Sequence, residues 1–261
     1  MSPAEILLVG GGAFLAGAMN AMAGGGTFFS FPALLAAGVP PVVANASNCV
    51  ALWPASLSSA WAYRKEVMRH PRWTLLLVIA AFIGGITGGL LLLATSNAAF
   101  ARLIPWLLLI ATVLFAFSSQ VSRLVRSVKS RLGLGGQAQG TPGGVGGLLF
   151  QLAVAIYGGF FGAGLGILTL AALAIQGVED IQELNGLKNL TSAVNYTFAA
   201  GTFIIAGAVS WPHTVLMTAT AMAGALAGAA LARRLPALWL RRLVVVVGST
   251  LTAVYFAKTY F

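Results

Sequence analysis

Apolar residues run along this chain in long blocks with no period-two alternation. Uninterrupted blocks cover Val42–Tyr63, Trp73–Ala94, Phe100–Gln120, Leu187–Ala206, Thr214–Ala232 and Leu243–Lys258. Each approaches the ~20 residues a helix needs to cross a bilayer. Two further blocks are broken by glycine. The first breaks at Ala23-Gly24-Gly25-Gly26-Thr27 and the second at Gly158-Gly159-Phe160-Phe161-Gly162-Ala163-Gly164-Leu165-Gly166. After each break come roughly a dozen apolar residues, a Gly-Val pair (Gly38-Val39; Gly177-Val178) and an asparagine cluster. Paired, interrupted apolar segments in two halves of a chain point to a transporter binding site.

Composition agrees with a membrane solvent. The chain is 59% hydrophobic and 8% charged, with mean hydropathy +0.91, whereas soluble domains carry about a quarter charged residues. Only helices or closed barrels satisfy the backbone in lipid, and unalternating blocks exclude a barrel. The net charge of +10 does not indicate nucleic acid, because the basic residues cluster between apolar blocks, as the positive-inside rule expects. The single cysteine, Cys49, excludes an internal disulfide or a cysteine metal cluster. Ala21-Met22-Ala23 resembles a signal cleavage site, but the only early charge is Glu5, so the basic start of a signal peptide is missing.

The halves align at an offset of about 140 residues, with Gly84 and Gly88 matched by Gly224 and Gly228. Their charged loops are exchanged. Arg64, Lys65, Arg69 and Arg72 correspond to the uncharged turn 207–212. The neutral loop 95–101 corresponds to Arg233-Arg234 through Arg241-Arg242. Equivalent loops of opposite bias predict repeats of opposite orientation. The expected fold is an all-α polytopic membrane protein of two inverted-topology repeats. Each repeat is a glycine-broken, re-entrant helical hairpin plus three transmembrane helices. Residues 1–120 form the first repeat, 121–147 a cytoplasmic basic and Gly-rich linker, and 148–261 the second repeat. Counting each broken segment as one span gives eight crossings instead, but places the four arginines Arg233, Arg234, Arg241 and Arg242 outside.

Non-helical backbone at membrane depth survives where it is buried or lines a cavity, and it frees the N–H groups of a half-helix start to face an anion. The tip glycines Gly24, Gly25, Gly26, Gly162, Gly164 and Gly166 are candidates, with Thr27 and Thr169 just beyond them. Close helix packing is the competing use of such glycines, and it is the reading for Gly84, Gly88, Gly224 and Gly228. Asn45, Ser47 and Asn48 follow the first hairpin; Asn185, Lys188 and Asn189 follow the second. Amide groups donate to an oxyanion while remaining neutral when the site is empty, or they cap helices. Asn20, before the first tip, and Asn195 extend the set. Lys188 is the one cation within the second-half apolar segments; it serves the site or snorkels to the surface.

No Asp or Glu falls within an uninterrupted apolar block. A carboxylate proton relay, a carboxylate-lined Na⁺ site, a metal path and a membrane catalytic dyad all lack residues, and there is no phosphate loop. The chain reads as a non-enzyme without cofactor or metal. A neutral-to-positive lumen favours an anion.

These motifs resemble the TauE/SafE sulfite exporter family of bacterial inner-membrane permeases, from about Glu5 to Tyr260. The matching features are Ala16–Pro32 with its triple glycine, Ala44-Asn45-Ala46-Ser47-Asn48, Tyr157–Gly166, Gly224-Ala225-Leu226-Ala227-Gly228, Leu235-Pro236 and Leu240-Arg241-Arg242-Leu243. The resemblance implies a multi-pass inner-membrane exporter of small sulfur anions such as sulfite, sulfoacetate or a related sulfonate. The second-half pattern Gly162-Ala163-Gly164-Leu165-Gly166 departs from the longer glycine run expected in that family. Import of sulfur oxyanions on the same scaffold, or a non-transporting membrane scaffold or assembly role, are the alternatives. The expected partners are the anion and membrane lipid, with no nucleic acid; a homodimer is left open.

Overall fold

The computed structural model describes residues 1–22, 25–64, 67, 70–131, 145–176, 178, 180–232 and 237–260. Gly24, linker residues 132–144 and the basic positions Lys65, Arg69, Arg233 and Arg234 lie outside the described residues.

Ten helices are found among the described residues: α1 (Pro3–Met22), α2 (Thr27–Ala36), α3 (Pro41–Ala62), α4 (Pro71–Ala94), α5 (Asn97–Arg131), α6 (Val145–Phe160), α7 (Leu165–Ile175), α8 (Ile181–Ile205), α9 (Trp211–Ala232) and α10 (Ala237–Tyr260). The protein is all-helical and multi-pass. By length and composition, α1, α4, α5 and α10 each contain a stretch able to cross a membrane. Helices α3, α8 and α9 have 22, 25 and 22 residues. Helix starts follow local chemistry. Proline occupies the first turn of α3 and α4, where no N–H is needed. Asp180 caps α8 by accepting from the N–H groups of Gln182 and Glu183. Helix α5 continues to Arg131, so the expected linker begins as helix.

Both glycine breaks are turns between antiparallel arms. In the first, Gly12 faces Phe29 and Ala33, while Gly26 faces Ala16 and Asn20. In the second, Gly147 faces Gln176 and Gly158 faces Leu165. The arms α2, α6 and α7 have 10, 16 and 11 residues. At 1.5 Å per residue they fall short of the ~30 Å apolar core of a bilayer. Helix α1, with 20 residues, does not.

The hairpins are held by the half of the chain to which they do not belong. Helix α1 runs alongside α9, with Gly10, Gly17, Gly224 and Gly228 at the seam. Helix α6 runs alongside α4, with Gly84, Gly85, Gly88 and Gly159 at the seam. A Cβ on Gly17 would stand 1.9 Å from the Ala221 carbonyl oxygen, and one on Gly88 would stand 2.2 Å from that of Ile156. Backbones approach this closely only across small residues, so these glycines are packing faces, as their spacing indicated. Helices α5 and α10 run antiparallel: Trp106 meets Phe256 and Tyr260, and Thr112 meets Gly248. Helices α3 and α8 pack together, joined by Trp53 Nε1 donating to Thr197 Oγ1 at 2.8 Å.

Candidate functional site

The first tip leads into α2. Gly25 has φ +83°, a left-handed conformation that glycine alone enters without strain. A Cβ on Gly26 would lie 2.3 Å from the Ala16 carbonyl oxygen, so the next residue is also held to glycine. The Gly26 N–H donates to Asn20 Oδ1 at 2.8 Å. Asn20 therefore caps the tip. The N–H groups of Phe28 and Phe29 are taken by Gly25 and Gly26 carbonyls. Thr27 is buried, and among the described residues no backbone carbonyl pairs with its N–H.

The second tip is braced differently. Gly162 and Gly164 both have left-handed φ, +78° and +77°. Helix α6 closes with Phe161 and Gly162 N–H groups donating to the Tyr157 carbonyl at 2.9 and 3.4 Å. The Tyr157 hydroxyl donates to Ala163 O at 2.8 Å, spanning the turn. Leu165 N–H pairs with Gly162 O. Gly166, in the first turn of α7, occupies the position that Thr27 holds in α2; its N–H likewise has no backbone carbonyl partner among the described residues.

The two tips come to one place. Gly164 faces Ala111 of α5 (3.6 Å from its would-be Cβ), and Gly25 faces Phe115 (3.1 Å), one turn further along the same helix. Phe31 of α2 stands edge-on to Phe161 at 5.5 Å. Asn45 Nδ2 donates to Phe160 O at 2.9 Å, fixing α3 to the end of α6.

The asparagine clusters divide. Asn48 is buried and its Oδ1 accepts from Ser30 Oγ at 2.5 Å. This occupies the amide oxygen and leaves the Nδ2 donors, which have no acceptor among the described residues, for another group. Asn45 faces the second tip as described. Ser47 does not reach the tips: its Oγ accepts from Ser210 N–H at 2.9 Å and anchors the α8–α9 connection. In the second cluster Asn185, Lys188 and Asn189 are half-buried on α8. The stem of Lys188 lies against Gly166, with its Cδ 3.6 Å from the would-be Cβ. Thr169 is buried in α7. Asn185 and Asn189 make no side-chain hydrogen bond among the described residues. Asn195 Nδ2 donates to Ala155 O and Ala81 O at 2.8 and 3.3 Å, clamping α8 to α6 and α4.

Sequence reasoning missed Ser30, Tyr157 and Tyr196. The legible signal was a hydroxyl inside an apolar block, since buried tyrosines usually need a partner. Among the described residues no cluster of His, Cys, Asp and Glu could hold a metal. Glu183 sits in the first turn of α8 with His70 3.8 Å away.

Ten helices among the described residues, packed glycine seams and two hairpin tips that meet beside α5 form a multi-pass membrane protein of transporter type. The chain belongs to the TauE/SafE sulfite exporter family, whose model it matches over residues 9–256. A probable membrane transporter protein of Haemophilus influenzae is 29% identical, with 92% of this chain and 90% of that protein covered. Similar too are the probable membrane transporter protein ORF9 of a Sinorhizobium species (27% identical, 92% and 87% covered) and YfcA of Escherichia coli K12 (24%, 92% and 86%). No solved structure matches.

Proposed function

We propose that this protein is a secondary transporter that exports small sulfur-containing anions, sulfite or an organosulfonate, across the bacterial inner membrane. The observation that carries this reading is Lys188 against Gly166. The N-terminal end of a half-helix is already positive, and Lys188 brings a cation to it. Two positive elements repel when the site is empty, and an anion between them relieves the repulsion. The Thr27 N–H at the opposing tip and the Asn48 amide add neutral donors. The matched family and the transporter relatives support the same class.

Inverted-topology repeats are part of the proposal. The antiparallel course of the matched helices α5 and α10 supports them, as does the exchange of hairpins between halves: α1 on α9 corresponds to α6 on α4. Substrate would enter between the tips near the midplane, and alternating access would follow from relative movement of the packed bodies. Because each hairpin is seated on the other half's glycine helix, the bodies that rock are these cross-half units and not residues 1–120 against 148–261.

Energetics favours export. An outward-moving monoanion gains ~2.3 kcal/mol per 100 mV of inside-negative potential, more than a tenfold gradient supplies at ~1.4 kcal/mol. No coupling cation is required. The test is sulfite and ethanesulfonate flux from proteoliposomes under an imposed potential. Potential-driven efflux is expected; its absence with every sulfur anion would leave a scaffold role in place of transport.

A further inference from the structure

Tyr196 is the side chain that faces both tips. Its hydroxyl lies 3.3 Å from where a Cβ on Gly162 would sit, and on the other side it comes within reach of the Thr27 hydroxyl. Cys49 of α3 is a further neighbour. Tyr157, which braces Ala163, stands beside Tyr196. The Tyr196 ring packs against both the central core and the smaller cluster of Val154, Leu165 and Ala172, so its position is set from two sides. Its side chain is half-buried.

We infer that Tyr196 is a specificity-determining donor of the transport site, selecting anions with two or more acceptor oxygens; this rests on the anion-transport reading above. A phenol is neutral, so placing it at membrane depth avoids the cost of a second buried charge. The hydroxyls of Tyr196 and Thr27 are each donor and acceptor. A sulfite or sulfonate between the tips offers separate oxygens to the two donors. Each then makes a charge-assisted hydrogen bond, roughly twice as strong as a neutral one. A monatomic anion such as chloride has no separate oxygens to spread over donors on different helices. Since Thr27 belongs to α2 of the first hairpin and Tyr196 to α8, beside Gly162, a polyoxygen anion also ties α2 to α8, which a halide does not.

The experiment is sulfite and ethanesulfonate flux in proteoliposomes, with chloride as competitor, for wild type, Tyr196→Phe, Thr27→Val and the double variant. Tyr196→Phe keeps the ring and loses the donor. Loss of a hydrogen bond to a charged group raises KM by about tenfold, and Vmax and chloride inhibition are expected to hold. Thr27→Val should raise KM in the same way, and the double variant should fall short of the product of the two because both donors serve one ligand. Unchanged KM in Tyr196→Phe, an equal rise for chloride, or fully multiplicative effects in the double variant would overturn the inference while leaving transport intact. If Tyr196→Phe fails to fold, Thr27→Val decides by the same KM and chloride criteria. A wild type that moves no sulfur anion would overturn this inference and the transport reading together.

Discussion

Asn45 and Phe160 lie 115 positions apart in the chain and meet where the Asn45 amide Nδ2 donates to the Phe160 carbonyl at 2.9 Å. The carbonyl is one of those that α6 leaves without an intrahelical partner at its C-terminal end. An asparagine from the first half thus completes the hairpin of the second. Its own Oδ1 is buried with no hydrogen-bond partner among the described residues.

Asn45→Leu removes the donor and leaves the Phe160 carbonyl buried and unpaired. Such a loss costs about 1–3 kcal/mol. Thermal unfolding of the detergent-purified protein should show a lower Tm for Asn45→Leu, whereas Ser58→Ala, which loses an exposed bond to its own helix, should leave Tm in place. Equal Tm values for Asn45→Leu and wild type would show that the cross-half bond does not hold the tip.

Glycine substitutions should separate by the helix they face. Gly17→Ala and Gly224→Ala place a Cβ 1.9 and 2.0 Å from carbonyl oxygens of the partner helix, so α1 must move away from α9. Overpacking of this kind costs about 1–3 kcal/mol or more. Gly11→Ala and Gly201→Ala meet nothing within 4 Å, and in a helix interior alanine is favoured over glycine by roughly 0.5–1 kcal/mol. Yield of monodisperse protein and Tm should fall for the first pair and be kept or raised for the second.

Lys188→Gln should weaken anion transport through KM. Loss of a charge-assisted contact is worth about 1.5–3 kcal/mol, so KM for sulfite is expected to rise at least tenfold. Lys188→Arg, which keeps the charge, should retain part of the affinity. The check is concentration-dependent flux at fixed potential. Lys188→Gln behaving as wild type would return Lys188 to a surface-seeking role.

Topology has its own test. Cys49 is the single cysteine and is buried, so Cys49→Ala supplies a background for labelling. In that background an impermeant thiol reagent added to intact cells should modify Ser96→Cys and Ala206→Cys, both at exposed positions. It should spare Arg64→Cys until the membrane is opened. Labelling of Arg64→Cys in intact cells would refute the opposed orientation of the repeats.

Much of this was readable along the chain. Apolar blocks and their glycine breaks mark each helix and turn, with ends within three residues for α3, α4 and α9 but six residues late at the starts of α8 and α10, because lipid forces every span to be apolar and helical. The left-handed tips fall at Gly25, Gly162 and Gly164, within the runs singled out. The paired spacing of Gly84 with Gly88, and of Gly224 with Gly228, announced packing faces. What each face packs against was not readable. Ser47 and Asn48 are adjacent in an asparagine cluster, yet one anchors Ser210 and the other pairs with Ser30. Neighbouring helix positions point about 100° apart, and which direction is the interior depends on helices far away in sequence. Asn20, singled out beside the first tip, accepts from the Gly26 N–H, which only the turn sets free. Helix α5 outruns its apolar block because charged residues of good helix propensity continue the helix once lipid ends.

The sequence by itself determined the solvent and class of this protein: a multi-pass helical membrane protein with two glycine-interrupted segments and a carboxylate-poor interior. Those follow from hydropathy, backbone freedom and charge, which are local properties of residues. Tertiary structure alone decided that each hairpin rests on the other half, that Lys188 lies on Gly166, and that Tyr196 stands between Thr27 and Gly162. Those are distances between residues far apart in the chain, set by how close two backbones can come, and no local property encodes them.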